Sequence, residues 1–266
     1  MELTQENYYS AEADAEFMSV HQYQSFVGTL GKRGCEAKAM AKLNGEYTEE
    51  TTDAMLIGSY VDAKFEGTLD KFKKDHPELF TQKGELYAKY KRADKMIQAI
   101  ERQPKLMQYL SGEKQRIFTG ELFGCKWKAK LDSYIPHIAI VDLKTTANLH
   151  KSWRVEDYGW ASFVEYWGYI TQLAVYQELV RQETGERLPC YIVAVTKEDV
   201  PETELIGIDQ ESLNHALNEV EMNMPSILSV KDGTYEPTRC ERCDYCISTK
   251  VIEKAIKYTE LIWGDE

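Results

Sequence analysis

Between residues 13 and 30, apolar side chains recur at Phe17, Val20, Tyr23 and Val27, the three- and four-residue steps of one helical face. Gly28, Gly31 and Gly34 then loosen the chain, and Cys35-Glu36-Ala37 opens a second helical stretch to about Leu43. From Thr51 to Lys74 the positions Ile57, Val61, Phe65, Leu69 and Phe72 predict one long helix that Pro77 stops. A neighbouring stripe of that helix carries Gly58, Asp62 and Glu66. Gln82 to Arg102 predicts another amphipathic helix, closed by Pro104.

The period then changes. A strand over about Gln115–Thr119 precedes Gly124–Asp132, where Phe123, Cys125, Trp127, Ala129 and Leu131 alternate with Lys126, Lys128, Lys130 and Asp132. Ile138–Thr146 is an apolar run that ends in Asp142, Leu143 and Lys144. A polar linker, 147–158, carries Trp153. A helix over Phe163–Glu183 ends at Gly185, Cys190–Thr196 is a short apolar strand, and Asp209 caps a helix to about Met222. A cysteine-bearing tail starts at Gly233 and closes with a short helix. Helix, three strands, helix, strand, with helical additions at both ends, predicts an α/β fold: a central mixed β-sheet flanked by helices.

Composition narrows the class. A chain of 266 residues with 43% hydrophobic side chains can bury a full core, expected as a single domain over 1–266. No apolar run reaches the ~18 residues of a membrane-spanning helix. The opening MELTQENYYS lacks the basic and apolar blocks of a signal peptide, so a cytoplasmic protein with reduced cysteines is expected. A net charge of −12 argues against a basic nucleic-acid coat protein. It leaves room for an enzyme with carboxylates at a metal site and a local basic track. Lys71, Lys73 and Lys74, Lys89 to Arg92, or Lys126, Lys128 and Lys130 could supply one, although each also reads as a solvated face. No glycine-rich phosphate loop or Gly-x-Ser-x-Gly motif occurs, which excludes an ATP-driven motor and gives no sign of a serine hydrolase.

The two adjacent strands carry the candidate chemistry. With Ser133–His137 as the turn of a symmetric hairpin, Asp132 and Asp142 oppose each other with Cβ atoms roughly 5 Å apart. Like charges so placed repel, and a divalent cation is the simplest compensation. Two carboxylates and a backbone carbonyl make part of the oxygen shell that Mg²⁺ takes. Lys144, two residues from Asp142 and on its face, would orient a water or stabilise charge on a phosphate. The plain alternative is a surface hairpin with ordinary salt bridges.

In order and spacing these residues resemble the PD-(D/E)xK nuclease superfamily, in its RecB-like and RecE-like phage exonuclease branch. Asp132 matches the first acid, and Asp142 and Lys144 match the D/E-x-K pair. The Leu143 carbonyl would be a further ligand, and Asp62 on the preceding helix another, with Glu66 one turn away to assist or replace it. Gln172-x-x-x-Tyr176 fits the Q-x-x-x-Y motif of the RecB-like group and lies on one helical face, where it would support the catalytic groups and DNA. Leu131 stands where the superfamily name has Pro, and Asp62 where many relatives have His. The resemblance implies a restriction-endonuclease-like αβββαβ core at about 50–200, with additions at 1–45 and 233–266. It also implies Mg²⁺ or Mn²⁺ and end-dependent hydrolysis of linear double-stranded DNA in phage-type recombination. The product strand would pass to a single-strand annealing protein, and some relatives act as oligomers. Two other readings stay open: a non-catalytic nucleic-acid-binding or assembly module held by a cysteine-ligated metal, and a site-specific endonuclease on the same fold.

Cys240-x2-Cys243-x2-Cys246 is dense enough to suggest ligation, yet three thiolates leave a tetrahedral site one short. AddB-type relatives join one N-terminal cysteine to three C-terminal ones around a [4Fe–4S] cluster, which implies Cys35 as the fourth. Zinc in a Cys₄ site, or no metal, are the alternatives. Cys125 and Cys190 lie within strands and read as core. Trp153, Tyr158, Trp160, Phe163, Tyr166, Trp167 and Tyr169 form an aromatic run suited to packing, or to stacking on bases of a frayed DNA end. Among the histidines, His137 falls in the presumed turn near the acids.

Overall fold

A computed structural model describes residues 1–261, so the last part of the 233–266 addition lies outside the described residues. At the N-terminus the apolar periodicity predicts one helix, but two form: α1 (Ala11–Glu16) and α2 (Val20–Val27). Ser10 and Ser19 each cap a helix by accepting a backbone N–H, which fixes two starts instead of one. Between them Met18 is extended and bridges Trp127 like a short strand. A small hairpin of β1 (Gly28–Thr29) and β2 (Lys32–Arg33) leads to α3 (Glu36–Leu43), whose N-cap is Cys35.

The predicted helix from Thr51 to Lys74 is also two, α4 (Asp53–Glu66) and α5 (Leu69–Asp75). Gly67 ends the first with φ of +81°, a left-handed cap that costs glycine no Cβ clash. Leu69 and Phe72 still pack against the same core as Ile57 and Val61, so their spacing hides the break. Of the predicted helix over Gln82–Arg102 only α6 (Arg92–Glu101) is helical, and Phe80 bridges Leu86 in the turns before it. Pro104 does not close that helix but opens the next, α7 (Pro104–Tyr109), where its missing N–H is unneeded.

Strands β3 (Arg116–Leu122) and β4 (Cys125–Leu131) pair antiparallel, joined through Phe123 and Gly124, both at positive φ. The two strands expected to form a hairpin with each other therefore do not pair along their length. β5 (Ser133–Ile135) pairs with β6 (Ala139–Thr146), so Ser133, Tyr134 and Ile135 are strand and not turn. Asp132 stands at the bend where the chain leaves the β3 ladder and joins β6. Ser133 opposes Val141, and one further step in that register sets Asp132 across from Asp142.

The linker 147–158 and the residues just after it fold into a hairpin of β7 (Trp153–Val155) and β8 (Gly159–Ala161). The next predicted helix divides into α8 (Phe163–Tyr166) and α9 (Tyr169–Thr184) at left-handed Gly168. β9 (Cys190–Thr196) pairs parallel with β6 and antiparallel with β10 (Thr203–Ile208), an edge strand that the sequence pattern did not disclose. The sheet order is β10-β9-β6-β5, mixed as expected. Asp209 caps α10 (Gln210–Lys231), which passes Pro225 and runs beyond Met222. The tail holds α11 (Asp244–Ser248) and a 3₁₀ turn at Tyr258–Leu261. No described helix is long and apolar enough to cross a membrane.

Alternation in β6 and β9 builds two cores. Ile140, Ile192 and Ala194 join the layer formed with α9, α10 and the β3–β4 ribbon. Val141, Leu143, Val193 and Val195 face α4 and α6. Both faces of the central strands are thus covered, and Asp142, which alternates with these residues, is nearly enclosed at 3% exposure.

Candidate active site

Three elements converge on the bend at Asp132. Helix α4 lies close to β6 because Gly58 has no side chain: a Cβ there would sit 3.1 Å from Thr145 Oγ1. One turn further along α4, Asp62 lines a small cleft with Glu66, Lys114, Asp132 and Leu143. The Leu143 N–H donates to Asp132 Oδ2 at 2.8 Å, tying the bend to β6. From α9, Gln172 Nε2 donates to Asp142 Oδ1 at 2.8 Å and to the Tyr176 hydroxyl at 3.0 Å.

The electrostatics are those of a site short of positive charge. Burial and then the charge of Asp132 push Asp62 well above the ordinary carboxylate range. Burial and then Asp142 push Asp132 up to about 7. Lys144 Nζ lies 2.8 Å from Asp142 Oδ2, a close ion pair. Burial alone would lower the lysine's pKa, but Asp142, Tyr169 and Asp132 together outweigh it and hold the ammonium charged. Tyr169 adds its ring face 4.6 Å from the same ammonium. Asp62 Oδ1 is buried and accepts no hydrogen bond, whereas Asp142 Oδ2 has the Lys144 ammonium beside it. Buried polar atoms are nearly always satisfied, so the orphaned Asp62 oxygen beside raised Asp132 fits a hard divalent cation.

The structure brings together Asp62, Glu66, Asp132, Asp142, Leu143, Lys144, Gln172 and Tyr176. It adds Gln115, which no motif or spacing in the sequence singles out. Gln115 Nε2 donates to Glu66 Oε1 at 2.8 Å and reaches Asp132 Oδ1 at 3.5 Å. Its backbone sits at φ +53°, uncommon for a residue with a side chain. Other candidates fall outside the site. His137 is turned to Glu186 at 2.8 Å, away from the acids. The strand lysines do not form a free track: Lys126 pairs with Glu16, and Lys128 is buried against Asp14 and the Tyr8 carbonyl. Lys89 is paired with Asp53. The aromatic run divides, with Phe163 buried and Trp153 stacked on Tyr166 at 4.7 Å, whereas Trp160 is 69% exposed.

A second constellation forms where the N-terminal helices meet the tail. Cys35, Cys240, Cys243 and Cys246 place all four sulfurs within 4.8 Å of one another. Cys35 Sγ is 3.5 Å and Cys240 Sγ 3.9 Å from Cys246 Sγ. The cluster is compatible with a closed Cys₄ metal site. Cys190 is buried core, as expected, and Cys125 is half-buried.

A family model for a PDDEXK-like domain of unknown function, DUF3799, matches residues 19–249, a span that includes every residue of both constellations. A crystal structure of a candidate exonuclease from Eubacterium rectale is 55% identical, with a TM-score of 0.96 and 99% of each chain covered. The structure of SSO0001 is 13% identical with a TM-score of 0.28 over 78% of this chain and 94% of that one, too low to carry an argument. No curated protein gives a significant match. The order of motifs, the mixed sheet and the full-length match agree, and the chain belongs to the PDDEXK-like family DUF3799, with the fold of a PD-(D/E)xK nuclease.

Proposed function

We propose that this protein is a divalent-metal-dependent DNA exonuclease acting on linear duplex DNA. The observation that carries the reading is the buried, unpartnered Asp62 Oδ1 beside the raised acid Asp132 and the Asp142–Lys144 ion pair. The family match and the E. rectale relative, described as an exonuclease, support it.

Asp62, Asp132, Asp142 and the Leu143 carbonyl would hold Mg²⁺ or Mn²⁺, with Glu66 at the rim. Such an ion lowers the pKa of water and neutralises charge building on a phosphate. Lys144 is held charged by Asp142 and lies where an ammonium can orient a water or meet the developing phosphate charge. Gln172 fixes the orientation of Asp142, so that Oδ2 stays turned toward the lysine side of the site. Gln115 keeps Glu66 and Asp132 from swinging apart. Leu143, by its N–H, sets the rotamer of Asp132.

The cysteine site serves as a clip between the N-terminal helices and the tail. Four thiolates so gathered can hold one zinc ion in a tetrahedral site or a [4Fe–4S] cluster. Metal analysis of an anaerobic preparation decides it: stoichiometric zinc in a colourless protein, or iron and sulfide in a brown one.

End-labelled linear duplex DNA with Mg²⁺, comparing wild type with Lys144→Ala, tests the activity. Digestion by the wild type that the variant does not perform supports the reading. Cutting of closed circular DNA by the wild type would replace it with the endonuclease reading. Inert wild type in both Mg²⁺ and Mn²⁺ would leave the non-catalytic binding module.

A further inference from the structure

Glu49 lies in the irregular segment between α3 and α4, and three lysines converge on it. Lys38 Nζ is 2.6 Å and Lys32 Nζ 3.1 Å from Oε1, and Lys42 Nζ is 2.9 Å from Oε2. Lys38 and Lys42 are one turn apart on α3 and so share a face, while Lys32 reaches in from β2. Three ammonium groups against one carboxylate leave a local surplus of positive charge on a chain whose net charge is −12. The cluster lines two cavities that reach side chains in contact with the candidate site. Lys42, Glu49 and His21 line both a cavity of about 560 Å³ that extends to Tyr176 and Lys130 and one of about 440 Å³ that extends to Trp167 and Tyr169. Tyr169 is the ring that lies against Lys144.

The geometry points to the Lys32–Lys38–Lys42 trio as the anchor for a phosphate of the substrate DNA strand, with the Glu49 carboxylate standing in for that phosphate in the free enzyme. A carboxylate and a phosphate present similar oxygen acceptors to converging ammonium groups, and charge-assisted bonds of this kind are the strong ones. Glu49 belongs to no helix or strand, so it can leave without breaking one. The trio can then exchange one internal anion for a phosphate while the neighbouring cavities take up bases beside Tyr47 and Tyr9. In the free protein the stand-in quiets a basic patch that would otherwise bind any polyanion. This inference rests on the nuclease reading above.

The test is fluorescence anisotropy with a short labelled single strand, 5′-phosphorylated or 5′-hydroxyl, in EDTA so that nothing is cut, over a range of salt. Glu49→Gln keeps the shape and removes the competing charge, and it binds about three- to tenfold tighter than wild type. Lys42→Gln binds more weakly, and the slope of log affinity against log salt falls by roughly 0.7 for the lost phosphate contact. An equal gain for both strands identifies a backbone phosphate, and a gain confined to the phosphorylated strand identifies the terminal one. Unchanged affinity for Glu49→Gln, or an unchanged slope for Lys42→Gln, overturns the inference and leaves Glu49 a structural pin. Lys32→Gln, the most exposed of the three, repeats the slope measurement should Lys42→Gln fail to fold. Cleavage of linear duplex by the same wild-type preparation separates the two failures. Cleavage with flat binding results overturns only this inference, whereas neither cleavage nor binding removes both.

Discussion

The Gln172 side chain donates to Asp142 Oδ1 at 2.8 Å, so a residue of α9 decides how an acid of β6 is turned. The amide is buried and has Tyr176 as its other partner, which leaves it little freedom. Gln172→Ala should lower turnover by roughly 10–100-fold, the range for losing a group that orients a metal-binding side chain. Gln172→Glu should do worse, since it sets a second carboxylate against Asp142. Single-turnover cleavage at saturating Mg²⁺, with the melting temperature as a fold control, checks both.

Asp132 and Asp142 oppose each other, and Lys144 is the cation that stands against their charge. Asp132→Asn keeps an oxygen for the Leu143 N–H but removes one charge. In EDTA at pH 8 the variant should melt higher than wild type, by about 2–4 °C for each kcal/mol of repulsion relieved. Mg²⁺ should raise the melting temperature of the wild type and not of the variant. Differential scanning fluorimetry with and without the ion reads this directly, and equal responses would remove Asp132 from the metal site.

Gln115 combines an uncommon backbone conformation with a side chain that bridges Glu66 and Asp132. Gln115→Gly relieves the backbone and deletes the bridge, whereas Gln115→Ala deletes the bridge and keeps the strain. Both should lose cleavage to a similar degree, while the glycine variant is the more stable of the two. Urea unfolding alongside Mg²⁺ titration of activity separates positioning from folding.

Glu49 gives a pH signature. Burial works against its ionisation, but bonds from Lys38, Lys42 and Lys32 prevail and hold its pKa down to about 2, against an ordinary 4.5. A lowered acid contributes stability above the unfolded pKa, and the contribution fades as pH falls through the folded one. Wild type should therefore exceed Glu49→Gln in urea midpoint at pH 6, with the gap closing from about 4.5 toward 2. Partial exposure screens the effect, so the gap is modest. Parallel midpoint curves over that range would show that Glu49 does not titrate with folding.

Much of the candidate set was legible because its spacing is local. Asp142 and Lys144 share a face by strand alternation, and Gln172 and Tyr176 by one helical turn, whatever the tertiary fold. That Asp132 faces Asp142 was foreseen, but a symmetric turn over Ser133–His137 would have paired Asp132 with Ile138. The observed opposition follows from β5, which moves the turn to 136–138. Gln115 was not legible, because its importance comes from the bend at Asp132 and the arrival of α4. The helix breaks at Gly67 and Gly168 were masked by apolar residues that pack into the same core on either side. Edge strand β10 alternates only weakly, as an edge does when one flank meets solvent. Nothing in the spacing of Lys32, Lys38 and Lys42 singles them out, because what joins them is Glu49 folding back onto all three.

The sulfurs of Cys35 and Cys246 meet across 211 residues of chain. A cross-link closing so long a loop removes much unfolded-state freedom, on the order of 5 kcal/mol by the measure used for disulfides. It also imposes a sequence of events during synthesis. Helix α3, capped by Cys35, leaves the ribosome long before the three cysteines that complete its clip. Until they emerge, the acids of β6 can be in place while the basic wall that α3 presents is unanchored. On the proposed function, metal capture would then be the last step of maturation, and a nascent chain would carry the acids of β6 before the clip closes.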